Sequence, residues 1–134
     1  MEAVAKGSFD VKMTPLTWSE STADKALNRF VLEKTFHGDL DATSQGQMLS
    51  AGTDQKGSAG YVAIEKVTGT LLGRNGSFMM QHNGIMNRGV PQLSIVIVPD
   101  SGTGDLTGLA GALTIHIADG KHSYELAYTL ATIQ

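Results

Sequence analysis

Short runs of strict alternation between apolar and polar residues, broken by glycine, constrain this chain most. In GSFDVKM, Phe9, Val11 and Met13 fall on one face and Ser8, Asp10 and Lys12 on the other, the period of a half-buried β-strand. The alternation returns from Leu27 to Phe36, where Phe30, Leu32 and Phe36 oppose Arg29, Glu33 and Thr35. Further strands are expected near Leu40 to Leu49, Gly60 to Leu71, Ser77 to Asn83, Gln92 to Val98, Ala112 to Ala118 and His122 to Thr132, which makes eight in all. Sixteen glycines against three prolines, spread between these runs, favour many turns over long helices.

With 134 residues, 41% of them hydrophobic, the chain suits one domain with a real core. A net charge of -3 without any block of like charge argues against nucleic acid or an anionic membrane as a partner. The lack of cysteine removes disulfides, thiolate metal sites and a cysteine nucleophile together. The opening MEAVAKGSFDVKM resembles no secretory leader, and no apolar run approaches the ~20 residues of a membrane span, so a soluble cytoplasmic protein is expected.

Turn chemistry selects antiparallel neighbours. Asn75-Gly76 and Asp119-Gly120 are dipeptides preferred in two-residue type I′ hairpin loops, whose central residues both need positive φ. The segments AGTDQKGS and NGIMNRGVP read as longer loops, and TPLTWSESTADKA as an irregular connection anchored by Leu16 and Trp18. Eight antiparallel strands then form either a closed barrel or a two-sheet sandwich.

The glycine-rich SGTGDLTGLAG, residues 101–111, invites comparison with a phosphate-binding loop. Gly102, Gly104 and Gly108 are spaced one residue too widely for the dinucleotide fingerprint, and an alternating strand follows where a helix would be needed. The stretch instead parallels two others. Gly38, Gly69 and Gly104 are each followed two residues later by leucine (Leu40, Leu71, Leu106), as expected of a recurring strand-and-turn unit. Leu106 and Leu109, three apart, are expected to cap one end of the fold from a short loop or single helical turn.

The combination of HGDL, YVAIEKVTGTLLGRNGSFMMQH and VPDSGTGDLTGLAG resembles a family of small bacterial proteins known only as a domain of unknown function, over nearly the whole chain. That family is similar in fold to the plant allene oxide cyclases and, more distantly, to dirigent proteins. The resemblance implies a single eight-stranded antiparallel β-barrel and transfers no activity, since one barrel hosts many functions.

Candidate chemistry lies inside that barrel. If Asn75-Gly76 is the turn, Leu71 pairs with Met80 and Gly69 with His82. One face then carries Tyr61, Glu65, Phe78, Met80 and His82 among aliphatic residues. Glu65 and His82 are the groups on it that need partners, though roughly 13 Å apart along the strands. His122, Tyr124 and Tyr128 share a face with Leu126 that could line a cavity. His37, Asp39 and Asp41 alternate on a strand but splay as solvated surface does, and no metal or cofactor is expected. The preferred expectation is a binding barrel for a small, largely apolar molecule, with Glu65 and His82 as polar anchors and Tyr61, Phe78, Met80, His122, Tyr124 and Tyr128 around it. The alternatives are a cofactor-free isomerase or cyclase, and a filled barrel that works through its outer surface, with a homo-oligomer as one form.

Overall fold

The computed structural model describes residues 2–16 and 26–130; Trp18 and most of its connection lie outside the described residues. Eight strands follow in order: β1 (Ala3–Leu16), β2 (Leu27–Gly38), β3 (Leu40–Gly52), β4 (Ala59–Leu71), β5 (Arg74–Asn87), β6 (Val90–Ile97), β7 (Ala110–Ala118) and β8 (Lys121–Thr129). Each pairs antiparallel with its neighbours in sequence, β6 and β7 at Val96 and Ala112, and β1 also pairs with β8, so the sheet closes into a barrel.

Alternation sorts the side chains as expected: Phe9, Leu32, Phe36, Val67, Phe78, Ile95, Leu113 and Leu126 meet in the buried core, while Ser8, Asp10, Glu33 and Thr35 face out. The Asp119-Gly120 hairpin forms in the expected register, pairing Ile117 with His122, with both turn residues at positive φ. The Asn75-Gly76 turn does not form. The loop between β4 and β5 is Leu72-Gly73, at φ 49° and 85°, and β5 begins before Asn75, which pairs with Thr70. Likewise the segment NGIMN is strand, and its turn is Arg88-Gly89, also at positive φ.

The loop from Val98 to Leu109 closes one end. Its 3-10 turn, Gly104–Leu106, drives Leu106 into the core, and Leu109 follows just after it; both are almost fully buried, as expected of a cap. The loop also completes the hydrogen bonding of the first part of β5, which lies beyond the reach of β6. Val98 N donates to Met79 O at 2.8 Å, Thr103 N to Ser77 O at 2.8 Å, and Met79 N to the Ser101 hydroxyl at 3.0 Å. Gly76 makes this docking possible, because a Cβ there would collide with the carbonyl oxygen of Thr103. The three glycine–leucine segments are therefore not copies of one unit. Gly38 ends β2, Gly69 lies inside β4 and Gly104 opens the 3-10 turn, yet Leu40, Leu71 and Leu106 all enter the same core.

At the opposite end the wall is uneven. β1 accompanies β8 only as far as Phe9 opposite His122, but runs beside β2 to Leu16 opposite Arg29. β1 to β5 are 12–14 residues long and β7 and β8 only 9, while β6 starts level with the end of β5, Val90 opposite Asn87, so β1 to β6 stand above β7 and β8 as an open trough.

The turn assignment makes a direct prediction. Leu72 is 57% exposed and held in the left-handed region, so Leu72→Asn should raise stability by about 0.5–1 kcal/mol, measured by urea unfolding. Asn75→Ala should change it by no more than about 0.5 kcal/mol, whereas the opposite pattern would restore Asn75-Gly76 as the turn.

Candidate functional site

The corrected register brings the two polar candidates together. It pairs Ala63 with His82 and Glu65 with Met80, six residues away from the pairing expected around Asn75-Gly76. An even slip leaves every side chain on its expected face but places Glu65 and His82 diagonally adjacent. Their side chains meet directly, with His82 Nε2 2.5 Å from Oε2 of Glu65.

A third member comes from β2. Lys34 shares the inward face of Phe30, Leu32 and Phe36, and its Nζ donates to the same Glu65 oxygen at 2.8 Å. The ammonium also lies 5.4 Å from the centroid of the Phe9 ring, a favourable cation–π placement. To reach β4 it must cross β3, where the inward positions beside it are Ser44 and Gly46. Gly46 stands directly opposite Glu65, and a Cβ there would overlap the Glu65 side chain.

Lys34, Ser44, Glu65 and His82 are all buried, and the Glu65 side chain has no solvent contact. Burial by itself would push the Glu65 carboxyl up. The hydrogen bond from His82, the attraction and hydrogen bond of Lys34 and the attraction of His82 together outweigh it and hold the group at about 2. Glu65 is thus ionised across the physiological range. Its Oε1 and the Ser44 hydroxyl are sealed without a hydrogen-bond partner among the described residues.

Tyr61 connects this buried cluster to the trough. It lies on the inward face of β4, opposite Gly84, whose lack of a Cβ leaves room for the phenol ring. Its hydroxyl is 3.4 Å from His82 Nδ1, and burial, with the charge of Glu65 adding to it, pushes its pKa up, so it keeps its proton. Lys34, Glu65, His82 and Tyr61 form a continuous polar chain whose last member is only half-buried.

The other expected site residues lie elsewhere. Phe78 and Met80 are sealed in the core. Tyr124 is a structural pin: Leu40 N donates to its hydroxyl at 2.9 Å, and the hydroxyl donates to His37 O at 2.8 Å, fastening the turn between β2 and β3. Tyr128 is buried beside the same core, and His122 packs its ring 5.2 Å from that of Phe9. His37 pairs with Asp10 on the outer surface at 3.0 Å, and among the described residues no group of three His, Cys, Asp or Glu side chains could hold a metal ion.

The residues that line the trough were not among the expected site. Met13, Phe30, Met48, Met86 and Leu93 occupy inward positions of its wall, by the same alternation that fills the core below. Two grooves of about 700 and 610 Å³ lie instead on the outer wall, lined mainly by outward residues such as Asp10, Glu33 and Lys66 in one and Leu49, Val62 and Ile64 in the other. The first also touches Lys34 and Ser44, and neither includes Tyr61, Glu65 or His82.

Residues 5–128 match the family model described as a protein of unknown function, DUF3224. The chain belongs to the DUF3224 family. A crystal structure of a protein with unknown function from the DUF3224 family, from Shewanella oneidensis MR-1, shares 49% sequence identity and superimposes with a TM-score of 0.92. That match covers 99% of this chain and 100% of the other. No curated protein matches. No helix among the described residues of this DUF3224 barrel is long and apolar enough to cross a membrane.

The state of Glu65 is visible in acid. Its folded pKa lies below the ordinary 4.5, so its contribution to stability is fully present above about 4.5 and is lost as pH falls through about 2. Urea midpoints between pH 6 and 2 should therefore fall more steeply for the wild type than for a Lys34→Met, Glu65→Gln double variant, which removes both charges together. Parallel profiles would mean that Glu65 is not held ionised by its partners.

Proposed function

We propose that the protein binds a small, largely apolar molecule in the trough, with the Tyr61 end of the buried chain as its polar contact. One observation carries this reading. Met13, Met86 and Leu93 sit at inward positions, where a barrel ordinarily packs its core, and are nevertheless 45%, 42% and 46% exposed. Phe30 and Met48, half-buried on the same wall, extend the apolar surface toward Tyr61. Methionine suits such a surface, because its unbranched, polarizable side chain adapts to differing ligand shapes.

The anchoring roles are then unequal. Glu65 has no exposed surface and acts only through its neighbours, whereas Tyr61 is the member of the chain that a ligand meets. Phe78, Met80 and Tyr124 support the floor from below, and the walls are the trough residues.

Nile red, a neutral apolar dye, tests the location. The wild type should bind it with a rise in fluorescence. Met48→Glu, which puts a charge on the inner wall, should weaken binding about tenfold or more. Leu49→Glu, the next residue on the outer wall, should leave binding unchanged. Loss with Leu49→Glu and not with Met48→Glu would move the site to the outer groove.

A further inference from the structure

The hydrogens along the chain from Lys34 to Tyr61 can be placed by elimination, and their order specifies the polar end of the ligand. Lys34 offers only donors. Glu65, held ionised, offers only acceptors. The contact between Glu65 Oε2 and His82 Nε2 therefore requires a hydrogen on Nε2.

Lys34 already balances the charge of Glu65. A second proton on the imidazole would leave a net positive charge in the sealed interior, and no second carboxylate is buried there among the described residues. Nδ1 of His82 is accordingly bare and can only accept. The group facing it, Tyr61 Oη at 3.4 Å, has one hydrogen to give and gives it inward. What remains on the phenol oxygen is lone-pair density.

We infer that the ligand carries a hydrogen-bond donor at its polar end, a hydroxyl group in the simplest case, and that Tyr61 Oη accepts its hydrogen. This rests on the trough being the binding site. A ketone, ether or carboxylate would bring lone pairs against lone pairs and gain nothing from Tyr61. Ser50, opposite Tyr61 in the register, can donate or accept and so does not discriminate between these groups. Glu65 and Lys34 are positioning residues in this arrangement: they set the tautomer of His82, and His82 sets the direction in which Tyr61 points its hydrogen.

Matched probes test the assignment by displacement of Nile red: decanol, decanone and decyl methyl ether. The wild type should bind decanol about tenfold more tightly than the ketone or the ether, the difference expected for one well-placed hydrogen bond. Tyr61→Phe should abolish that preference while keeping affinity for the ether within about twofold. His82→Leu frees the Tyr61 hydrogen and should shift the preference toward decanone, an exchange that mere loosening of the barrel would not produce. Equal binding of all three by the wild type, or preference for the ketone, overturns the assignment and leaves the trough standing. Failure of all three to bind removes the trough reading and this inference with it.

Discussion

The carboxylate of Glu65, buried without solvent contact and bonded through one oxygen to both Lys34 and His82, is the interaction on which the site depends. It links β2, β4 and β5 across the interior and passes over β3 only because Ser44 and Gly46 are small. Stability does not explain such a group, since well-packed apolar residues of similar volume commonly serve as well or better than a buried ion pair. What apolar residues could not supply is orientation. Lys34 holds the charge on Glu65, Glu65 holds the hydrogen on His82 Nε2, and His82 faces Tyr61 with its other nitrogen.

The rest of the barrel divides around this cluster. On the capped side Leu40, Leu71, Leu106 and Leu109 fill the interior, and Tyr124 pins the turn between β2 and β3. On the other side the longer strands rise past β7 and β8, so inward apolar residues that would complete a core remain in contact with solvent. The sealed floor comes from the capping loop, and the open apolar wall from the height of the longer strands above β7 and β8.

Much of this was legible in the sequence, because the period of two needs no tertiary information. The eight strands and their faces come from it, while the Asp119-Gly120 hairpin comes from turn chemistry and the leucine cap from the spacing of Leu106 and Leu109. Registers are less secure, since they rest on turn residues that the fold can use otherwise. Asn75-Gly76 has ideal hairpin chemistry, but Gly76 is needed for the approach of Thr103, and the turn falls on Leu72, a residue with no preference for positive φ. The resulting slip was even, so Glu65 and His82 kept the correct face while appearing too far apart to touch. Lys34 was the residue missed, although alternation with Phe30, Leu32 and Phe36 places it inward. Finding it meant accepting a lysine on an apolar face, and a buried Glu65 in need of a partner was the signal for it. The trough was illegible for a different reason: alternation marks Met13, Met48, Met86 and Leu93 as inward but says nothing of how high the neighbouring strands rise.

The glycine-rich SGTGDLTGLAG serves architecture by supplying the loop that caps the barrel, and the chemistry gathers at the far side of the buried cluster. The arrangement is tested most directly by the tautomer of His82, read from the ring nitrogen shifts of isotopically labelled protein at neutral pH by two-dimensional NMR. In the wild type Nε2 should be protonated and Nδ1 bare. A proton on Nδ1, whether as the opposite tautomer or as imidazolium, would contradict it, because Tyr61 would then receive a hydrogen from His82 and present its own to the trough.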